Sequence, residues 1–447
     1  MSGPKVVKIV TRDELVSLCE DLITSLEVAV NQWTRIGNRN EVLNAQDIAL
    51  ARGRVESMRA LLARDGFLEI QKQVPSEIQF LSTDMDERLR RSVEARAEER
   101  NSGRRLVLSA ESVARTLAQR GIPVDPTLQS PGEATKEQLQ QSISAALTAL
   151  SQGPPGHEIS QRQRDLASSL GKEEERETFL SWLKAQPPAV ADPQISAIEK
   201  HLDELSALDP EAAAPFSQRL TTIQAEPSDA RRRLLADSLS LDIAWAKTVA
   251  KADLRSRHAL ETVRATLRRV TSQSVADLLE SIDTALSGNF EIEPMLKTAT
   301  AVLVEIRKAE ADAHRREALL SGLADLGYEV KDGMATAWVE NGRVVLRSAK
   351  NPQYGVELGG NPDKLIQVRT VALSNAAVSR DRTADIAAET EFCGDFTLLR
   401  DRLALSGGNV AVVKALGIGT TEIKATGRLD EPAYADVKSL SARQLPK

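Results

Sequence analysis

The sequence predicts a mainly α-helical protein. An N-terminal helical-bundle or coiled-coil region is followed by a small C-terminal α+β domain built on an antiparallel four-stranded meander. Three observations carry this. Aromatic residues are only 3% of 447 residues and 27% are charged, so the apolar content falls to Leu, Ala, Val and Ile, as in helices with narrow buried seams. Apolar residues step by three and four along most of the chain. Near the C-terminus, "TAWVENGRVVLRS" (residues 336–348) replaces that rhythm with alternation around an Asn-Gly pair.

The elements follow in order. From Thr11, a candidate N-cap with Glu14 three residues on, Leu15, Leu18, Leu22, Leu26 and Val30 lie at helical spacing. A second helix places Ile48, Val55, Leu61 and Leu62 near one face and ends at Gly66. A third, from about Ser76 to Arg120, carries Ile78, Leu81, Met85, Leu89 and Val93. Residues 1–120 thus read as a bundle or antiparallel coiled coil. Over 121–227, "GIPVDPTLQSPG", "SQGPPG", "QPPAVADP" and "LDPEAAAP" interrupt the periodicity, because proline ends the helix before it; short helices such as "EERETFLSWLKAQ" result.

Residues 228–326 read as long helices with a coiled-coil arm. The first runs from Asp229 towards Val270, the next stops at Gly288, and a third begins near Glu293. Leu303, Ile306, Ala313 and Leu320 form the predicted seam, a self-association surface, and Gly327 supplies a left-handed stop. Residues 327–426 form the α+β domain. Asn341-Gly342 suits a type I′ turn, which pairs Trp338 with Val345 and Val339 with Val344. Ala337, Val339, Val344 and Leu346 then face the core, and Trp338 and Val345 face outward beside Glu340, Arg343 and Arg347. "YGVELGGNP" and "KLIQVRTVAL" add two strands, and "EALLSGLADLG" is the nearest covering helix. "CGDFTLLRDRLALSGG" reads as a helix capped by Asp395, "GNVAVVKALGIGTTEIKAT" as one or two strands, and 427–447 as a loose tail.

Signatures of chemistry are sparse. There is no phosphate-binding G-x-x-x-x-G-K-[ST], and "GIGTTEIK" reads as a turn between strands. "HEIS" at His157 lacks the second histidine of a zinc motif. The triplets at Glu329 and Glu422 resemble nuclease strands only at the level of chance. Cys393, placed before a helix N-terminus, reads as a small buried thiol beside a cap. No cofactor is expected. Two widely separated cysteines, no apolar leader and no long apolar run imply a soluble protein of a reducing cytoplasm with no membrane contact. An Arg- and Ala-rich bias suggests a bacterial source.

Two functional expectations follow. The first is a non-catalytic scaffold or adaptor: a homo-oligomer formed through its helices, with a protein partner docked on Trp338, Arg343, Val345 and Arg347. By architecture alone, such a chain suits an accessory subunit of a bacterial multi-protein system, for example one built around an ATPase or an antiviral, phage-defence effector. The second is nucleic-acid binding. Residues 231–269 carry ten basic residues against four acidic in a chain of net charge −6, and Lys247, Lys251, Arg255, Arg257, Arg264 and Arg268 would track phosphates.

Overall fold

The computed structural model describes residues 4–151, 192–270, 272–288, 291–362, 364–373 and 381–426. His157, the expected helix "EERETFLSWLKAQ" and the tail 427–447 lie outside them. The described chain is mainly helical with an antiparallel C-terminal sheet. It forms two compact units, one from residues 1–32, 45–81 and 256–447, the other from 33–44 and 82–255.

In the first unit the sheet has the order β2-β3-β4-β5-β1-β6: β1 (Lys5–Val10), β2 (Tyr328–Glu329), β3 (Arg343–Ser348), β4 (Tyr354–Asn361), β5 (Leu365–Ala372) and β6 (Asn409–Ala415). β7 (Lys424–Ala425) pairs with β5. Registers Val344↔Leu358, Leu346↔Val356 and Leu358↔Val368 put these residues on one face. That face is buried with Val7, Ile9 and Val410 beneath three helices. α10 (Ile292–Ala324) contributes Leu319, Leu320 and Leu323, α11 (Met334–Asn341) contributes Met334 and Trp338, and α12 (Arg382–Leu405) contributes Phe392, Phe396, Leu399 and Leu403. The covering role expected of "EALLSGLADLG" therefore belongs to the end of α10. There Gly322 lets α12 approach closely, since a Cβ would lie 2.4 Å from Leu399 Cδ1.

Several expectations change. Residues 334–341 are helix, so Trp338 does not pair with Val345; it is buried at 1% exposure, while Val339 faces solvent. Asn341-Gly342 closes that helix instead, with Gly342 left-handed at φ 68°. The signal is shared, because a glycine in that conformation serves a helix C-terminus as well as a type I′ turn. α12 begins at Arg382 with Asp381 as N-cap, which places Asp395 and Cys393 within the helix. Asp395 is buried and accepts hydrogen bonds from Tyr328 Oη at 2.9 Å and Lys350 Nζ at 3.4 Å. The "KVVKIV" alternation of β1 makes part of the N-terminal segment a central strand of the C-terminal sheet.

α1 (Arg12–Arg39) starts at Thr11 as expected, with Glu14 N donating to Thr11 Oγ1 at 3.3 Å. Its inward face is Cys19, Ile23, Leu26 and Val30, and Leu18 is exposed. On the side of the helix away from this row, carboxylates meet cations from distant sequence: Glu14 with Arg315, Asp21 with Arg307, and Glu20 with Arg269. The predicted seam on α10 is therefore not one apolar line. Leu320 joins the sheet core, Leu303 and Ile306 pack with α8 (Asp229–Leu267) and α9 (Gln273–Ser287), and Ala313 is exposed.

Lys5 is an unusual core residue. It is 3% exposed, its Nζ has no hydrogen-bond partner, and it lies 5.0 and 4.8 Å from the ring centroids of Phe392 and Phe396. Burial lowers its pKa, opposed by the facing Cys393 and Glu389. Because the unfolded chain keeps its proton up to about 10.5 and the folded chain releases it earlier, stability rises with pH through that window and falls on acidification. Lys5→Met is expected to raise stability at pH 7 by about 1 kcal/mol and to flatten this pH dependence, as read by urea unfolding at pH 7 and 9.

Candidate interaction surface

The second unit includes a bundle of α6 (Pro193–Leu208), α7 (Pro210–Gln224) and the first part of α8. The earlier helices of the chain are α2 (Ala45–Leu62), α3 (Phe67–Gln119), α4 (Pro126–Gln129) and α5 (Lys136–Ser151). The Asp-Pro pairs that break the periodicity also start helices. Asp192 and Asp209 cap α6 and α7, with Pro193 and Pro210 at the first helical position, where the missing amide costs nothing.

α8 is apolar on two sides. Ala236, Leu239 and Ile243 are buried against Ile198, Leu205 and Leu220, and Ala246 and Ala250 continue the row. A second row, Leu234, Leu241, Trp245 and Val249, recurs at steps of seven, four and four, and so lies along one face. These residues are 71%, 72%, 71% and 45% exposed. Arg233, Lys251 and Arg255 flank the row on one side; all are exposed, and none has an ion pair or hydrogen bond among the described residues.

The other cations proposed for phosphate contact have protein partners. Lys247 pairs with Glu204, which also meets His201 at 3.2 Å. Burial alone would raise the Glu204 carboxyl; the hydrogen bonds from Lys247 and His201 outweigh it and hold that pKa below its ordinary value. Arg264 and Arg268 share Asp283, at 2.8 and 3.4 Å, and Arg257 donates to the Leu286 carbonyl at 3.2 Å. Of the six residues expected to form a phosphate track, only Lys251 and Arg255 belong to the flank just described.

The sheet surface expected to bind a partner also changes. Arg343, Val345 and Arg347 do share the outward face of β3, but Trp338 is in the core beneath the other face. Trp33 is buried and donates Nε1 to Asp84 Oδ2 at 3.0 Å. Among the described tryptophans, Trp245 is the exposed one. Its signal was legible as apolar residues on two faces of one helix, whereas which face finds neighbours is a tertiary fact.

Among the described residues, no cluster of three His, Cys, Asp or Glu side chains could hold a metal ion, and no helix is long and apolar enough to cross a membrane. In comparisons with protein-family models, curated proteins and solved structures, nothing matches this chain.

Proposed function

We propose that this chain is an adaptor that docks an acidic amphipathic helix of a partner protein along Leu234, Leu241, Trp245 and Val249. The exposed Trp245 in an apolar row, flanked on one side by cations that have no ion pair among the described residues, is the observation that supports this reading. Trp and Arg are enriched in interface hot spots, and helix-on-helix docking uses anchors at this spacing. Charge argues for an acidic partner over a second copy. Two copies packed antiparallel on this row would set Lys251 of one near Arg233 of the other, a like-charge juxtaposition.

The test uses a fluorescein-labelled synthetic helix with a leucine row and glutamate rims, and follows anisotropy with the full chain. Binding is expected to weaken by about 2 kcal/mol, roughly 30-fold, in Trp245→Ala. It is expected to lose most of its salt dependence when Lys251 and Arg255 become Gln. Equal binding by wild type and Trp245→Ala would overturn the assignment. Capture of duplex DNA in place of the peptide, with a steep salt dependence, would favour the nucleic-acid reading.

A further inference from the structure

The fold lays Lys5, from β1, against the face of α12 that carries Cys393, although the two residues lie near opposite ends of the chain. Glu389, Phe392, Cys393 and Phe396 stand at i, i+3, i+4 and i+7 on α12 and so share the face that lies over β1. Lys5 Nζ sits against the Phe392 and Phe396 rings on this face. It is buried without a hydrogen-bond partner, while Cys393 is only half-buried. The Glu389 carboxylate is engaged by the Gly419 amide at 2.7 Å. Cys19, by contrast, is fully buried and directed to the Phe67 carbonyl.

We propose that Lys5 and Cys393 form a reversible covalent crosslink when the protein meets hydrogen peroxide. Peroxide oxidises the Cys393 thiol to sulfenic acid and is itself reduced, releasing one water. The Lys5 amine then attacks the sulfur; its lone pair forms the S–N bond, hydroxide leaves from sulfur and takes the amine proton, and a second water departs. The sum is one thiol, one amine and one peroxide giving one sulfenamide and two waters. Sulfur gives up the electron pair that peroxide gains. A small thiol reverses the bond by attacking sulfur and expelling the amine. The local chemistry favours the second step, because burial keeps the Lys5 amine deprotonated more readily than a surface lysine.

The experiment treats the full chain with hydrogen peroxide and reads intact mass and protease-digest mapping, with dimedone added in a parallel sample. The expected result is the loss of two hydrogens and a linked peptide pair containing Lys5 and Cys393. Dithiothreitol should remove the link, and Cys393→Ser should never form it. Lys5→Arg should convert the product to a dimedone adduct of Cys393, and circular dichroism would verify that this variant is folded. The wild-type digest is decisive without any variant. A wild type that gives only the dimedone adduct or sulfinic acid at Cys393, or leaves Cys393 unoxidised, overturns the crosslink.

Discussion

Trp338→Ala is expected to destabilise the sheet-containing unit by about 3–5 kcal/mol, the range for truncating a fully buried large aromatic. Trp338 is among the largest fully buried side chains and packs in the same core as Met334, Leu346 and Phe392. Its removal opens a cavity under a helix of only eight residues, which has too few internal hydrogen bonds to hold its place alone. Trp338→Phe should cost much less, because the indole Nε1 is buried without an acceptor and its loss relieves an unsatisfied donor. Trp245→Ala should shift stability by less than about 0.5 kcal/mol. Urea unfolding followed by circular dichroism ranks the three. A Trp338→Ala protein as stable as wild type would place that side chain outside the core.

Arg315→Met is expected to cost about 3 kcal/mol, as for breaking a buried ion pair from one side. The Arg315 guanidinium donates to Glu14 at 3.1 Å, to Asp312 at 3.5 Å and to the Pro362 carbonyl at 2.9 Å. It thereby ties α1, α10 and the β4–β5 turn together. The variant removes the guanidinium that faces the mostly buried Glu14 carboxylate. Glu14→Gln combined with Arg315→Met should recover part of the loss, because the orphaned charge is then gone. Full additivity of the two changes would show that the groups act independently and would refute the coupling.

Local signals were legible wherever a short stretch decides its own conformation. Thr11 with Glu14 marked the start of α1, Asp229 lay near the start of α8, Gly288 marked the end of α9, and Leu81, Met85, Leu89 and Val93 marked the buried row of α3. Asn341-Gly342 was ambiguous because the same left-handed glycine serves a hairpin and a helix end, and what separates them is where Trp338 finds its neighbours. Asp395 looked like a cap because capping residues are also used inside helices when a distant donor, here Tyr328, satisfies them.

By itself the sequence determined the helical character of the chain, the positions of most helix starts and stops, and the presence of strands near the C-terminus, because these depend on periodicity and backbone preference within a few residues. Only the tertiary structure decided that β1 lies between β5 and β6, that the cations of α10 answer the carboxylates of α1, and which tryptophan is exposed. The first two require segments hundreds of residues apart to meet. Two apolar rows on one helix look alike in sequence, and the row that packs against α6 and α7 is buried while Trp245 is left to solvent.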